Sequence, residues 1–83
     1  MVLVVKSNYL EDMKFEDLQS VHVQVDRTQG RVFYYVIAIN RGFLSCVEAE
    51  CITAYQDVDK ALDLSDQIKA ALKTGKAKLE VSI

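Results

Sequence analysis

Eight consecutive residues in the middle of the chain, Val32–Ile39, read Val-Phe-Tyr-Tyr-Val-Ile-Ala-Ile with no charged or strongly polar break. This β-branched and aromatic composition suits a pleated strand. Side chains alternate along a strand, so Val32, Tyr34, Val36 and Ala38 take one face and Phe33, Tyr35, Ile37 and Ile39 the other. A strand that is apolar on both sides needs cover on both. The chain must therefore supply a packed layer for one face, and a second layer or another molecule for the other.

The neighbours of this run read as its strand partners. In Ser20–Asp26, Val21, Val23 and Val25 alternate with Ser20, His22, Gln24 and Asp26. Arg27-Thr28-Gln29-Gly30 then reads as a turn, which predicts a hairpin with Val32–Ile39. Asn40-Arg41-Gly42 reads as a second turn, with Gly42 suited to positive φ. Phe43–Tyr55 has two readings. As a strand it places Phe43, Val47, Ala49, Cys51 and Tyr55 on one face and Glu48 and Glu50 opposite. As a short helix it would start at the capping-box pattern Ser45-Cys46-Val47-Glu48. The strand is the favoured reading.

The strongest helical signal covers Asp57 to Lys73. Val58, Ala61, Leu62, Ile68 and Leu72, with Ser65 among them, recur at helical spacing. Asp57 is the expected N-cap, and Gly75 stands where a left-handed residue ends a helix. Beyond it Ala77, Leu79, Val81 and Ile83 alternate with Lys78, Glu80 and Ser82, a half-buried strand. At the other end Val2–Lys6 reads as a short strand, and Asn8–Leu18 as a short helix capped at Asn8. The expected fold is α+β: one antiparallel sheet of four to five strands, with the long C-terminal helix on one face. A ferredoxin-like βαββαβ arrangement or a close variant is the nearest common architecture.

Length and composition bound the function. A chain of 83 residues is one domain, 1–83. Its 51% hydrophobic and 27% charged residues allow a packed core and argue against disorder. No apolar run approaches the roughly 20 residues that span a bilayer. The N-terminus carries neither a basic leader nor a cleavage site, so the expected compartment is the cytoplasm, of a cell or of an infected host.

Candidate chemistry is sparse. Cys46 and Cys51 are too far apart along a strand to bond to each other, and packed, reduced thiols are expected. His22 is the only histidine, and Ser20, His22 and Asp26 stand parallel on a strand where a catalytic set would converge. Gly30, Gly42 and Gly75 form no phosphate loop. Glu11-Asp12 and Glu16-Asp17 do not match a calcium loop. The reading is therefore no catalytic residues, no metal, no cofactor and no enzyme.

A net charge of −2 gives no general attraction to nucleic-acid backbones. A local nucleic-acid surface would need Phe33 and Tyr35 to stack bases beside Arg27, Arg31 and Arg41, but Arg31–Val36 lacks the glycines of an RNA-recognition sheet.

One feature of the helix is unfavourable to the helix itself. At 100° per residue, Asp59, Asp63 and Asp66 share one polar stripe. Like charges at i,i+4 cost a few tenths of a kcal/mol, and the helix dipole helps only in the first turn. With Glu48 and Glu50 of the preceding strand, these aspartates are the candidate partner-binding residues, for a protein with a basic surface. The expected function is a non-enzymatic protein-binding regulator or inhibitor, of the small acidic kind that phages use against host defence systems (anti-CRISPR-like). An RNA- or single-stranded nucleic-acid-binding domain is the alternative. A homodimer through the second face of the sheet is a further expectation.

Overall fold

The computed structural model describes residues 1–6, 13–15, 18–41 and 47–83; for 13–15, 41, 47 and 48 it describes the backbone. In chain order the elements are β1 (Val2–Lys6), β2 (Met13–Phe15), β3 (Leu18–Thr28), β4 (Arg31–Arg41), β5 (Val47–Tyr55), α1 (Val58–Lys73) and β6 (Lys78–Ser82). The fold is α+β, with two three-stranded sheets.

The first sheet is the antiparallel meander β3–β4–β5, with the apolar run at its centre. Its β3–β4 turn is tighter than the sequence suggests. Thr28 already pairs with Arg31, leaving only Gln29 and Gly30 in the loop. Both have positive φ, 52° and 74°. Two left-handed residues make the turn whose twist matches a hairpin, and Gly30 adopts that conformation without steric cost. Asn40 and Arg41, expected in a turn, continue β4, while Gly42–Cys46 lie outside the described residues. Phe43–Tyr55 is strand where it is described. Its register shifts between Val36 and Ile37, which pair with Thr53 and Cys51 and leave Ile52 as the extra residue. Such a bulge reverses the alternation. Cys51 therefore shares the face of Ile37, and Tyr55 the opposite face, with Tyr34.

The second sheet has the order β2–β1–β6. β1 runs antiparallel to β2 and parallel to β6, so the first and last strands of the chain are neighbours. A single four- to five-strand ferredoxin-like sheet is not the arrangement of the described strands. The alternation within β6 shows that it is half-buried, and the apolar run of β1 buries Leu3, Val4 and Val5 in succession, but neither pattern says which strand each will pair with. The expected helix over Asn8–Leu18 also differs: Met13–Phe15 is a strand against β1 and Leu18 opens β3. Residues 7–12, 16 and 17 lie outside the described set.

α1 packs across one face of the β3–β4–β5 sheet. Ala61, Leu64 and Ile68 join Val21, Val36, Ala38 and Ile52 in one core, and Leu3, Val5 and Val81 of the other sheet belong to it as well. Burying an aliphatic side chain fully contributes about 1.5–3 kcal/mol, so this shared cluster ties the two sheets together. The buried stripe of α1 is rotated from the expected one. Leu64 and Ala71 are buried, whereas Val58 and Leu62 are exposed at 37% and 46%. The helix is capped at both ends. Asp57 accepts a hydrogen bond from the Asp59 amide at 2.9 Å. At the other end the Gly75 amide donates to Leu72 O at 3.2 Å and the Lys76 amide to Ala71 O at 3.1 Å, with Gly75 at φ +72°. That pair of bonds is the Schellman closure.

Candidate protein-binding surface

Asp59, Asp63 and Asp66 are all exposed. Their helical positions lie opposite Ala61, Ile68 and Ser65, the residues that face the sheet. Seven residues separate the outer two, so the row is about 10 Å long at 1.5 Å per residue. Asp63 Oδ2 accepts a hydrogen bond from Gln67 Nε2 at 2.9 Å. Among the described residues one ion pair forms, Lys78 with Glu80 at 3.1 Å. Lys60 and Lys69 of the same helix make none with the three carboxylates. Tyr55 reports the field of this row. Its phenol is pushed up first by burial and then by the negative charge of Asp63.

The other two candidates lie on β5, not on the helix. Glu50 is exposed and pairs with Ala38; the Glu48 backbone pairs with Asn40. No hydrogen bond or ion pair among the described residues joins Glu50 to the helix carboxylates. The three aspartates are thus one row, with Glu50 on a separate element.

A second surface is the face of the β3–β4–β5 sheet turned away from α1. Phe33, Tyr35, Ile37 and Ile39 run down its centre, each partly exposed. By register, Ser20, His22, Gln24 and Asp26 flank them on β3, and Ala49, Cys51 and Ala54 on β5. Asp26 accepts hydrogen bonds from Thr28 Oγ1 at 3.3 Å and from Tyr35 Oη at 3.4 Å. Its partners are thus Thr28 and Tyr35, and His22 is exposed beside Ile37. Cys51, expected to be packed, is exposed. Its thiol is pushed up by partial burial, against a smaller lowering from the Thr53 backbone. The Ile52 bulge, which places Cys51 on this face, has no sequence signal of its own.

No family model matches the chain, and neither a curated protein nor a solved structure matches it. Among the described residues no helix is long and apolar enough to cross a membrane, and no group of three His, Cys, Asp or Glu side chains is placed to hold a metal ion.

Proposed function

We propose that the chain is a non-enzymatic protein-binding regulator or inhibitor that presents the aspartate row of α1 to a basic surface on its partner. The observation that carries this reading is the placement of Asp59, Asp63 and Asp66. They are exposed, lie opposite the buried side of the helix, and make no ion pair with lysines of the chain among the described residues. Such a row costs the isolated helix a little stability, and a cationic partner offsets that cost. The profile fits a small acidic inhibitor acting in the cytoplasm of a cell or an infected host, of the anti-CRISPR-like kind. The reading also carries a homodimer, for which the outer sheet face of Phe33, Tyr35, Ile37 and Ile39 supplies one surface.

The decisive experiment is a pull-down from host extract with the tagged chain and with its Asp59→Lys/Asp63→Lys/Asp66→Lys variant, both checked for folding by circular dichroism. Loss of the captured partner from the folded variant supports the row as the site; undiminished capture removes it. A nucleic-acid reading has one favourable observation, the shared outer face of Phe33 and Tyr35, but Asp26 on the same face opposes a phosphate. Titration with single-stranded oligonucleotides at two salt concentrations tests it, because phosphate contacts weaken as salt rises.

A further inference from the structure

Among the described strands, the outer edge of β6 offers opposite charges that can pair with a copy of itself, Lys78 and Glu80. β6 is the last strand of its sheet, so one of its edges carries no described strand. The Val2 amide donates to Ala77 O at 2.8 Å and the Ile83 amide to Lys6 O at 2.7 Å. With Val2 opposite Lys78 and Lys6 opposite Ser82 in a parallel ladder, these two bonds fix the alternation. Residues 77, 79, 81 and 83 turn their backbone groups toward β1. Lys78, Glu80 and Ser82 turn theirs to the open edge. Beside that edge an open groove of about 320 Å³ runs between the flank of α1 and β6, lined by Gln67, Ala70, Ala71, Thr74, Lys76 and Leu79.

We propose that two copies of the chain join through this edge, β6 against β6 and antiparallel, to form one continuous six-stranded sheet. Charge selects the register. With Leu79 opposite Leu79 of the second copy, Lys78 faces Glu80 of the second copy and Glu80 faces its Lys78. Each of those pairs exchanges both backbone hydrogen bonds, because their amides and carbonyls already point outward. Moving the pairing by two residues in sum sets Glu80 against Glu80, a like-charge pair that destabilises strand association. The side chains of Lys78 and Glu80 are exposed and meet within one copy at 3.1 Å, so they are placed to exchange partners across the new ladder. The two-fold axis stands perpendicular to the sheet, so both helices lie on the same side. Their flanks then face one another across the Leu79 pair, and the small side chains of Ala70 and Ala71 permit close approach. The two open grooves become one covered trough.

The test is sedimentation equilibrium of the full chain over a wide concentration range, with amide exchange measured at low and high concentration. The expected result is a concentration-dependent dimer in which the Lys78 and Glu80 amides gain protection and those of Leu79 and Val81 gain none. Glu80→Lys places lysine against lysine twice, and the dimer dissociation constant should rise about tenfold or more. The swap Lys78→Glu/Glu80→Lys restores opposite charges in the same register and should return it to the starting value. Circular dichroism confirms that each variant is folded. A chain that stays monomeric throughout overturns the proposal. So does a dimer that is indifferent to Glu80→Lys but lost in Ile37→Lys, which would place the interface on the outer sheet face. The aspartate row is tested separately, because its reversal leaves this interface intact.

Discussion

Ser65 is the polar residue on the buried face of α1. It is 1% exposed, it faces the sheet from the middle of α1, and its Oγ has no hydrogen-bond partner among the described residues. A buried hydroxyl without a partner costs about 1–3 kcal/mol, and Ala is also the better helix former. Ser65→Ala should therefore raise stability by about 1 kcal/mol, seen as a higher urea midpoint at unchanged slope. A lower midpoint would mean that the hydroxyl is satisfied, for instance by a buried water. Tyr55 carries a different signature. Burial and then Asp63 raise its phenol, so the folded state holds that proton more tightly than the unfolded chain does. The resulting stability is complete below the ordinary phenol value of about 10 and is lost as pH rises through the higher folded value. Asp63→Asn removes the second cause, and Tyr55 should titrate closer to its ordinary value when followed by the NMR shift of its ring. An unmoved titration would show that the charge of Asp63 does not reach the phenol.

At the scale of elements, α1 owes its start to Asp57. Replacing it with Ala removes the acceptor for the Asp59 amide and should cost about 1 kcal/mol, while Asp57→Ser should cost far less. Equal losses in the two variants, measured by denaturant titration, would show that the cap contributes nothing. This helix, the β3–β4 hairpin and β6 were all legible in the sequence, because each repeats its period long enough to be read and ends at a recognisable cap or turn. β2 was not. Met13-Lys14-Phe15 is too short to show alternation, and its strand geometry comes from pairing with β1, a tertiary cause. The rotated face of α1 has a similar origin. Leu64 and Ala71 are buried on a flank that helical spacing alone does not single out, and the packing of the sheets decides which flank that is. In the candidate site, the exposure of Asp59, Asp63 and Asp66 followed from helical periodicity alone. The face assigned to Cys51 and Tyr55 did not, because the Ile52 bulge depends on the partner strand.

The whole molecule, 38 × 25 × 25 Å in extent, is closed by its two ends. Val2 lies opposite Lys78, so the parallel β1–β6 pair can form only after nearly the entire chain has been gathered. Long-range closure of this kind slows folding more than it weakens the folded state. It also raises the question of whether the β2–β1–β6 sheet melts as a separate unit. The core argues that it does not. Leu3 and Val5 are 0% exposed and share one cluster with Val36 and Ile68 of the other layers. Leu3→Ala should then cost about 3 kcal/mol, a large part of the ~4–12 kcal/mol that a chain of this length commands. The loss should be global. Amide protection in β1 and in β4 should fall by the same free energy, and the loss of α1 seen by circular dichroism should coincide with both. If β1 and β6 instead lose protection while β4 keeps its own, the sheets are only loosely coupled. An interface built on the β6 edge would then sit on the less stable half of the molecule, and its formation should raise the stability of that half first.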